Sequence, residues 1–93
     1  MKYEFKAPYA FDGETFTELE VPLEEMTGAQ FLEVKKSYVK SDPGANPVTM
    51  VFDQSFVVYL CAKLCKQKLE FFEGLPVADF VGLCTKVSGF LLS

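Results

Sequence analysis

Residues 56–62, Phe-Val-Val-Tyr-Leu-Cys-Ala, form the longest uninterrupted apolar run in the chain. A run of this length suits either a buried strand or a helix that is covered on most sides. Asp53 favours the helix, because an aspartate shortly before the run is a good N-cap, and Ala62 and its neighbours have high helix propensity. The sequence therefore predicts a helix over 54–67 that is apolar on nearly every face and lies at the centre of the fold.

The first 23 residues show the alternation of a β-hairpin. Apolar residues at odd positions from Tyr3 to Phe11 alternate with lysine and glutamate near the start, and leucine and valine alternate with glutamate over 18–24. This period of two is typical of half-buried strands, and Asp12-Gly13 between the two segments is a turn signal. We therefore predict a hairpin over 1–23.

Two registers are open for this hairpin. A two-residue Asp-Gly turn would place Phe5 opposite Glu20 and mix apolar with charged side chains on one face. A three-residue loop over 11–13 pairs Phe5 with Leu19 instead, and a slip of one residue moves every side chain to the other face. The apolar pattern therefore predicts the three-residue loop. Pro8 has no N–H to donate, so its strand should be an edge at that point.

A second helix is predicted over 28–40. Thr27 and Gln30 have the spacing of a capping box, in which each side chain bonds the backbone N–H of the other residue. The helix should stop where proline, glycine and asparagine accumulate, and residues 41–49 are predicted to be a loop.

The last helix is predicted over 76–92, after a connection with room for a helical turn at 69–73. Pro76 suits the first helical turn, and Asp79 follows where a negative charge favours the helix dipole. Gly82 and Gly89 weaken the helix but allow a neighbour to approach closely. The predicted fold class is α+β: the hairpin, then a compact and mostly helical three-helix bundle, in a single domain over 1–93.

Composition limits the partners of this domain. Hydrophobic residues make up 49% of the chain, and it contains ten phenylalanines, so some apolar surface should remain for a partner. The net charge of −4 argues against nucleic acid, because phosphate binding needs a basic surface. Charged residues, glycine and proline interrupt the apolar segments before they reach the ~18–20 residues of a membrane span, so no membrane association is expected.

The residues that usually carry catalysis are missing. The chain has no histidine and no arginine, which removes the usual proton shuttle and the usual carboxylate or phosphate clamp, and we expect neither an enzyme nor a bound cofactor. Cys61 and Cys65 have the spacing of two metal ligands on one helix face. A four-ligand site would need two more, and Cys84 is the only further thiolate. Buried, reduced thiols in a cytosolic protein are the preferred interpretation, with no metal.

Aromatic and aliphatic residues near the C-terminus have two interpretations. They can close the small core, or they can form a surface that receives a helix of a partner protein. The second interpretation predicts a partner-binding site at Phe71, Phe72, Leu75, Phe90, Leu91 and Leu92.

The order of these motifs resembles the small phage tail assembly chaperones of contractile and related long-tailed phages and prophages. Residues 23–31, Leu-Glu-Glu-Met-Thr-Gly-Ala-Gln-Phe, resemble the acidic-leucine stretch before the family's Thr-capped first helix. Asn46-Pro47 resembles the inter-helix loop, and Tyr59 with Ala62-Lys63 resembles the Ala-Lys signature of the second helix. Residues 75–80, Leu-Pro-Val-Ala-Asp-Phe, resemble the start of the last helix. The chain departs from the family's pattern at Cys61 and Cys65, where small residues are usual, and at the bulky connection 69–72.

The resemblance implies a non-enzymatic protein of the host cytoplasm. Members of this family bind the long helical tape measure protein and keep it soluble during tail tube assembly, so the tape measure protein is the expected partner and the tail tube protein a further candidate. They are absent from the finished virion, and many have a longer frameshifted form. The alternative function is a small structural virion protein, as a minor tail or head–tail connector component. The oligomeric state stays open, a homo-oligomer included.

Overall fold

The computed structural model describes residues 1–41 and 53–93. A two-stranded antiparallel hairpin is followed by helices, which confirms the predicted α+β fold with an N-terminal hairpin. The loop predicted over 41–49 begins at a residue that is still helical and otherwise lies outside the described residues. The elements are β1 (Lys2–Phe11), β2 (Glu14–Glu20), α1 (Gly28–Ser41), α2 (Gln54–Cys65), α3 (Leu69–Glu73) and α4 (Val77–Leu92).

The hairpin turn differs from the predicted three-residue loop. Phe11 pairs with Glu14, so Asp12 and Gly13 alone form the turn, with φ angles of 54° and 82°. Positive φ at both central residues is the signature of a type I′ turn, whose twist matches that of the flanking strands. The predicted loop is therefore wrong, because the turn preference of Asp-Gly prevails at the tip.

A bulge in β1 keeps the apolar face intact despite the shorter turn. Tyr3 pairs with Leu19 near the base and Tyr9 with Phe16 near the tip, and the register shifts between these two pairs. Neither predicted register therefore applies along the whole hairpin. The N–H of Lys6, within the shifted segment, donates to Asp79 Oδ1 of α4 at 3.1 Å. The segment is thus pulled out of the ladder towards the helix.

The helix caps follow the sequence signals. Thr27 N–H donates to Gln30 Oε1 at 2.9 Å and Gln30 N–H to Thr27 Oγ1 at 3.2 Å, which confirms the capping box. The Asp53 carboxylate accepts from Ser55 N–H at 3.0 Å, as expected of the N-cap of α2. The helix α2 ends at Cys65, two residues before the predicted end, because Lys66 takes a left-handed φ of 53°.

The core surrounds α2, which contacts α1, α3 and α4. Its inner face is fully or nearly fully buried, and Phe56 meets the rings of Phe31 and Tyr38 edge-on. The hairpin packs mainly on α4 and, through its aromatic residues, on α3. As predicted, α2 lies at the centre of the helices. It is not central to the hairpin, which forms a second layer.

Two tyrosines hold the hairpin against the helices, and each lies over a glycine. Tyr3 Oη donates to Asp79 Oδ1 at 3.0 Å and occupies the space where a Cβ on Gly82 would lie, 2.6 Å away. Tyr9 Oη donates to the Phe71 carbonyl at 2.8 Å and lies equally close to a Cβ position on Gly74. Close approach was expected at Gly82 and Gly89. It occurs at Gly82, whereas nothing lies within 4 Å of a Cβ position on Gly89.

Candidate interaction surfaces

The six residues predicted to bind a partner do not form one surface. Phe71 and Phe72 are fully buried and Leu75 is 7% exposed, so these three close the core, as the first of the two interpretations proposes. Phe90 and Leu92 are 38% and 57% exposed near the end of α4, and Leu91 is half-buried. Of these six residues, only Phe90, Leu91 and Leu92 at the end of α4 are therefore accessible to a partner.

Phe71 is buried because the hairpin covers it. Its ring lies 5.0–6.4 Å, centroid to centroid, from those of its aromatic neighbours, most of them in edge-on contact. The sequence does not show this, because α3 has only five residues and no helical periodicity that would identify an inner face. The rings around Phe71 belong to Phe5, Tyr9, Phe11, Phe16 and Phe72.

A groove runs along the outer face of α2. It consists of two adjoining depressions of about 330 and 220 Å³ that share Tyr59 and Leu69. The residues of α2 that line it extend from Ser55 to Lys63, which corresponds to about 12 Å of helix at ~1.5 Å per residue. We call this surface the α2 groove, and its main lining residues are Tyr38, Ser55, Tyr59, Ala62, Lys63, Leu69, Glu73 and Phe80.

Hydrogen bonds hold the tyrosines of the α2 groove in place. Tyr38 Oη donates to Asp53 Oδ2 at 3.3 Å, and the Tyr59 hydroxyl bonds the Ser37 hydroxyl at 2.5 Å. Lys63 Nζ lies 5.3 Å from the centre of the Tyr59 ring, within cation–π range. The aromatic walls are thus fixed before any partner arrives, which lowers the entropy lost on binding.

The two ends of the α2 groove carry opposite charges. Glu73 lines the larger depression, and Lys63 lines the smaller one. Both side chains are exposed, so they can meet charges of opposite sign on a partner. A signal for the groove exists in the sequence: Ser55, Tyr59 and Ala62 recur at helical spacing as the polar, amphipathic or small residues of an otherwise apolar helix.

The outer face of α4 is a second exposed surface, and it has no charge. Asp79 and Lys86 are the only charged residues of this helix, and both bind the hairpin: Lys86 Nζ donates to the Lys2 carbonyl at 2.6 Å. Five exposed residues of this face lie within about 80° of the helix circumference, next to Val77, which is 76% exposed. We call them the α4 stripe: Ala78, Val81, Thr85, Gly89 and Leu92.

Asp79 is the one buried charged side chain among residues 1–41 and 53–93. Its Oδ1 accepts from Tyr3 Oη and from Lys6 N–H, and both donors belong to β1. A carboxylate at this place in the first turn also suits the helix dipole, as predicted, but the sequence does not reveal the hairpin contact. Asp79 therefore joins α4 to β1.

The three thiols are disfavoured as nucleophiles or metal ligands. Burial raises the pKa of Cys65 and of Cys84 from the usual 9.0 to about 11, and it raises that of Cys61 as well. The thiolate is the reactive form, so little of it exists near neutral pH. Within the described part of the chain, no three His, Cys, Asp or Glu side chains are placed to share a metal ion.

Comparisons with known proteins find no related protein. Neither a protein-family model, nor a curated protein, nor a solved structure matches this chain. Among residues 1–41 and 53–93, no helix combines the length and the hydropathy needed to cross a bilayer.

Proposed function

We propose that this chain is a non-enzymatic tail assembly chaperone of a phage or prophage, and that it binds a helical segment of the tape measure protein in the α2 groove. The observation that carries the proposal is the groove itself: an exposed, preorganised channel with aromatic and aliphatic walls. The order of sequence motifs that resembles this chaperone family supports the same function. The proposed place of action is the host cytoplasm, before the virion is complete.

The length of the α2 groove is compatible with the proposed helical partner. Its length of about 12 Å corresponds to roughly two turns of a helix, so it can receive two apolar side chains from one face of an amphipathic helix. A long helical protein that is not yet assembled exposes such faces repeatedly. Each bound copy of this small acidic domain covers such a face and adds a net charge of −4. The bound partner molecules then repel one another and stay apart.

The charges at the ends give the bound helix a preferred direction. Glu73 favours a basic residue of the partner at one end, and Lys63 favours an acidic residue at the other. These pairs lie at an exposed rim, so their effect is on orientation and association rate more than on affinity.

Co-expression with the long helical protein of the same tail gene cluster tests this function. The expected result is that the partner is soluble only with this chain and elutes with it. Leu69→Asp places a charge in the groove and should abolish copurification. Leu32→Asp is the matched control, because Leu32 is an exposed leucine outside the groove, on α1.

The alternative function predicts a different result. A structural virion protein stays in purified particles, whereas a chaperone is lost from them. If the partner is soluble alone, and if this chain is found in intact particles, the structural function replaces the proposed one.

A further inference from the structure

The outer face of α1 carries a cavity of about 400 Å³ that has no role in the proposed function. Leu32 and Val39 lie one above the other along it, because seven residues return to nearly the same side of a helix. Leu32 is 55% exposed and Val39 is half-buried. We call this surface the α1 face, and the described residues that line it are Leu32, Lys35, Lys36, Val39 and Lys40.

Lysines flank the apolar row of the α1 face on both sides. At about 100° per residue, Lys36 and Lys40 lie on one side of the row and Lys35 lies on the other. None of the three forms an ion pair with a carboxylate of residues 1–41 and 53–93. Their aliphatic stems widen the apolar surface while the ammonium groups stay in water. The α1 face is therefore basic, although the chain has a net charge of −4.

We propose that the α1 face binds an acidic amphipathic helix of a partner protein. The argument is charge complementarity, because an apolar row flanked by charges of one sign selects a helix whose flanking charges have the opposite sign. Leu32 and Val39 are about 10.5 Å apart along the axis, which is the spacing of residues i and i+7 on any helix. Two apolar side chains of the partner cover this row, and its carboxylates lie beside the three lysines.

The composition of the α1 face disfavours other occupants. A helix that lies in a membrane surface needs a broad apolar face, whereas this row has two apolar residues. The net charge of −4 also repels an anionic bilayer. Nucleic acid is held by basic groups together with aromatic side chains on which bases stack, and the described lining of the α1 face has no aromatic residue. An acidic helix uses both the apolar row and the lysines.

Fluorescence anisotropy with a synthetic helix tests the proposal. The probe is a labelled, alanine-based peptide of about 18 residues, in which two leucines seven residues apart are flanked by glutamates. We expect the full chain to bind it with a dissociation constant in the micromolar range, and the affinity should fall at least fivefold between about 50 and 500 mM salt. A peptide with lysine at each glutamate position should bind at least tenfold more weakly.

Matched variants locate the contact. Lys36→Glu should weaken binding of the acidic peptide at least fivefold. Lys68→Glu makes the same change in net charge at an exposed lysine before α3, and should change the affinity less than twofold. Leu32→Asp should weaken binding at least tenfold, whereas Leu69→Asp in the α2 groove should have no effect. All four positions are exposed, so each variant should melt close to the parent's temperature.

Several results would overturn the proposal: no binding of the acidic peptide, equal affinity for the acidic and the basic peptide, or equal losses in Lys36→Glu and Lys68→Glu. Vesicles of phosphatidylglycerol and a short DNA duplex serve as competing probes. If the parent chain binds either of them through Leu32 and Lys36 but leaves the acidic peptide free, the α1 face has a different ligand. The tape measure protein is absent from these experiments, so their failure leaves the proposed function intact.

Discussion

Single contacts between β1 and α4 decide how firmly the hairpin is held, and Tyr3 makes the most buried of them. Its hydroxyl donates to a carboxylate that is itself 2% exposed, and burial together with this bond raises the pKa of Tyr3. Hydrogen bonds to charged groups are the stronger class, and a buried acceptor that loses its donor is destabilised further.

Tyr3→Phe should therefore lower the free energy of unfolding by about 1.5–3 kcal/mol. Tyr59→Phe is the matched control: it also removes one hydroxyl, but this hydroxyl bonds a neutral, half-buried partner and should contribute about 1 kcal/mol or less. Urea unfolding of both variants measures the difference. Equal losses would contradict the proposed importance of Asp79.

The two glycines of α4 should respond to alanine in opposite ways. At Gly82 a Cβ would lie 2.6 Å from Tyr3 Oη, which is held by its hydrogen bond, so Gly82→Ala should destabilise the fold by about 1–3 kcal/mol. At Gly89 the space is open, so Gly89→Ala should stabilise the monomer by about 0.5–1 kcal/mol through helix propensity. Thermal unfolding at a low protein concentration measures both, and the same sign for both would contradict this packing.

At the scale of elements, local signals in the sequence identify where most helices begin. Thr27 with Gln30 and Asp53 are polar caps whose partners lie within three residues, so they can be recognised without the fold. The end of α2 lacks such a signal, because Lys66 takes a left-handed conformation that is uncommon for lysine.

Lys66→Gly should thus stabilise the protein by about 0.5–1 kcal/mol, since relief of the ~1–2 kcal/mol left-handed strain exceeds the entropy that glycine loses. Lys63→Gly, inside the last turn of α2, is the control and should destabilise by about 1 kcal/mol. Chemical denaturation of the two variants gives the comparison. A loss of stability in Lys66→Gly would show that the lysine side chain has a role at this position.

The hairpin shows where local reasoning is insufficient. Asp12-Gly13 favours a two-residue turn, while the apolar pattern favours a longer loop. The two-residue turn is present at the tip, but its register does not extend to the base, and the register of the longer loop occurs in none of the pairs. The bulge in β1 is what keeps the apolar residues on one face. The shifted segment makes the Lys6–Asp79 hydrogen bond, which joins residues 73 positions apart and cannot be read from neighbouring residues.

At the scale of the whole molecule, composition and patterning suffice for the α+β fold, but not for the partner surface. The residues next to Phe71 and Phe72 in the sequence do not show whether the two rings are buried. The hairpin that covers Phe71 comes from the other end of the chain. The α2 groove arises where α1, α2, α3 and α4 meet, so its shape is a property of the assembled fold.

Stability should fall in alkali, because the three thiols and the phenols of Tyr3 and Tyr9 have a raised pKa. Burial raises the pKa of the three cysteines from 9.0 and those of Tyr3 and Tyr9 from 10.0. A group whose pKa is higher in the folded state binds its proton more tightly there, so its contribution is complete below the usual pKa and is lost as the pH rises through the raised value.

The free energy of unfolding should accordingly decline from about pH 9 upward. Urea unfolding between pH 7 and 11 measures this decline, and Cys65→Ser should reduce the slope between the usual and the raised pKa of Cys65. Stability that stays constant or increases up to pH 11 would contradict the burial of these groups.

The α2 groove as the binding site for a helix is the central claim, and an NMR titration tests it most directly. The isotope-labelled chain would be titrated with a soluble fragment of the proposed partner, the tape measure protein, while the amide signals are followed. We predict that the largest shifts map to Tyr59, Ala62, Leu69 and Glu73, and that Leu69→Asp removes them whereas Leu32→Asp does not. Shifts confined to the hairpin or to the α4 stripe, or no shifts at saturating fragment, would contradict the claim.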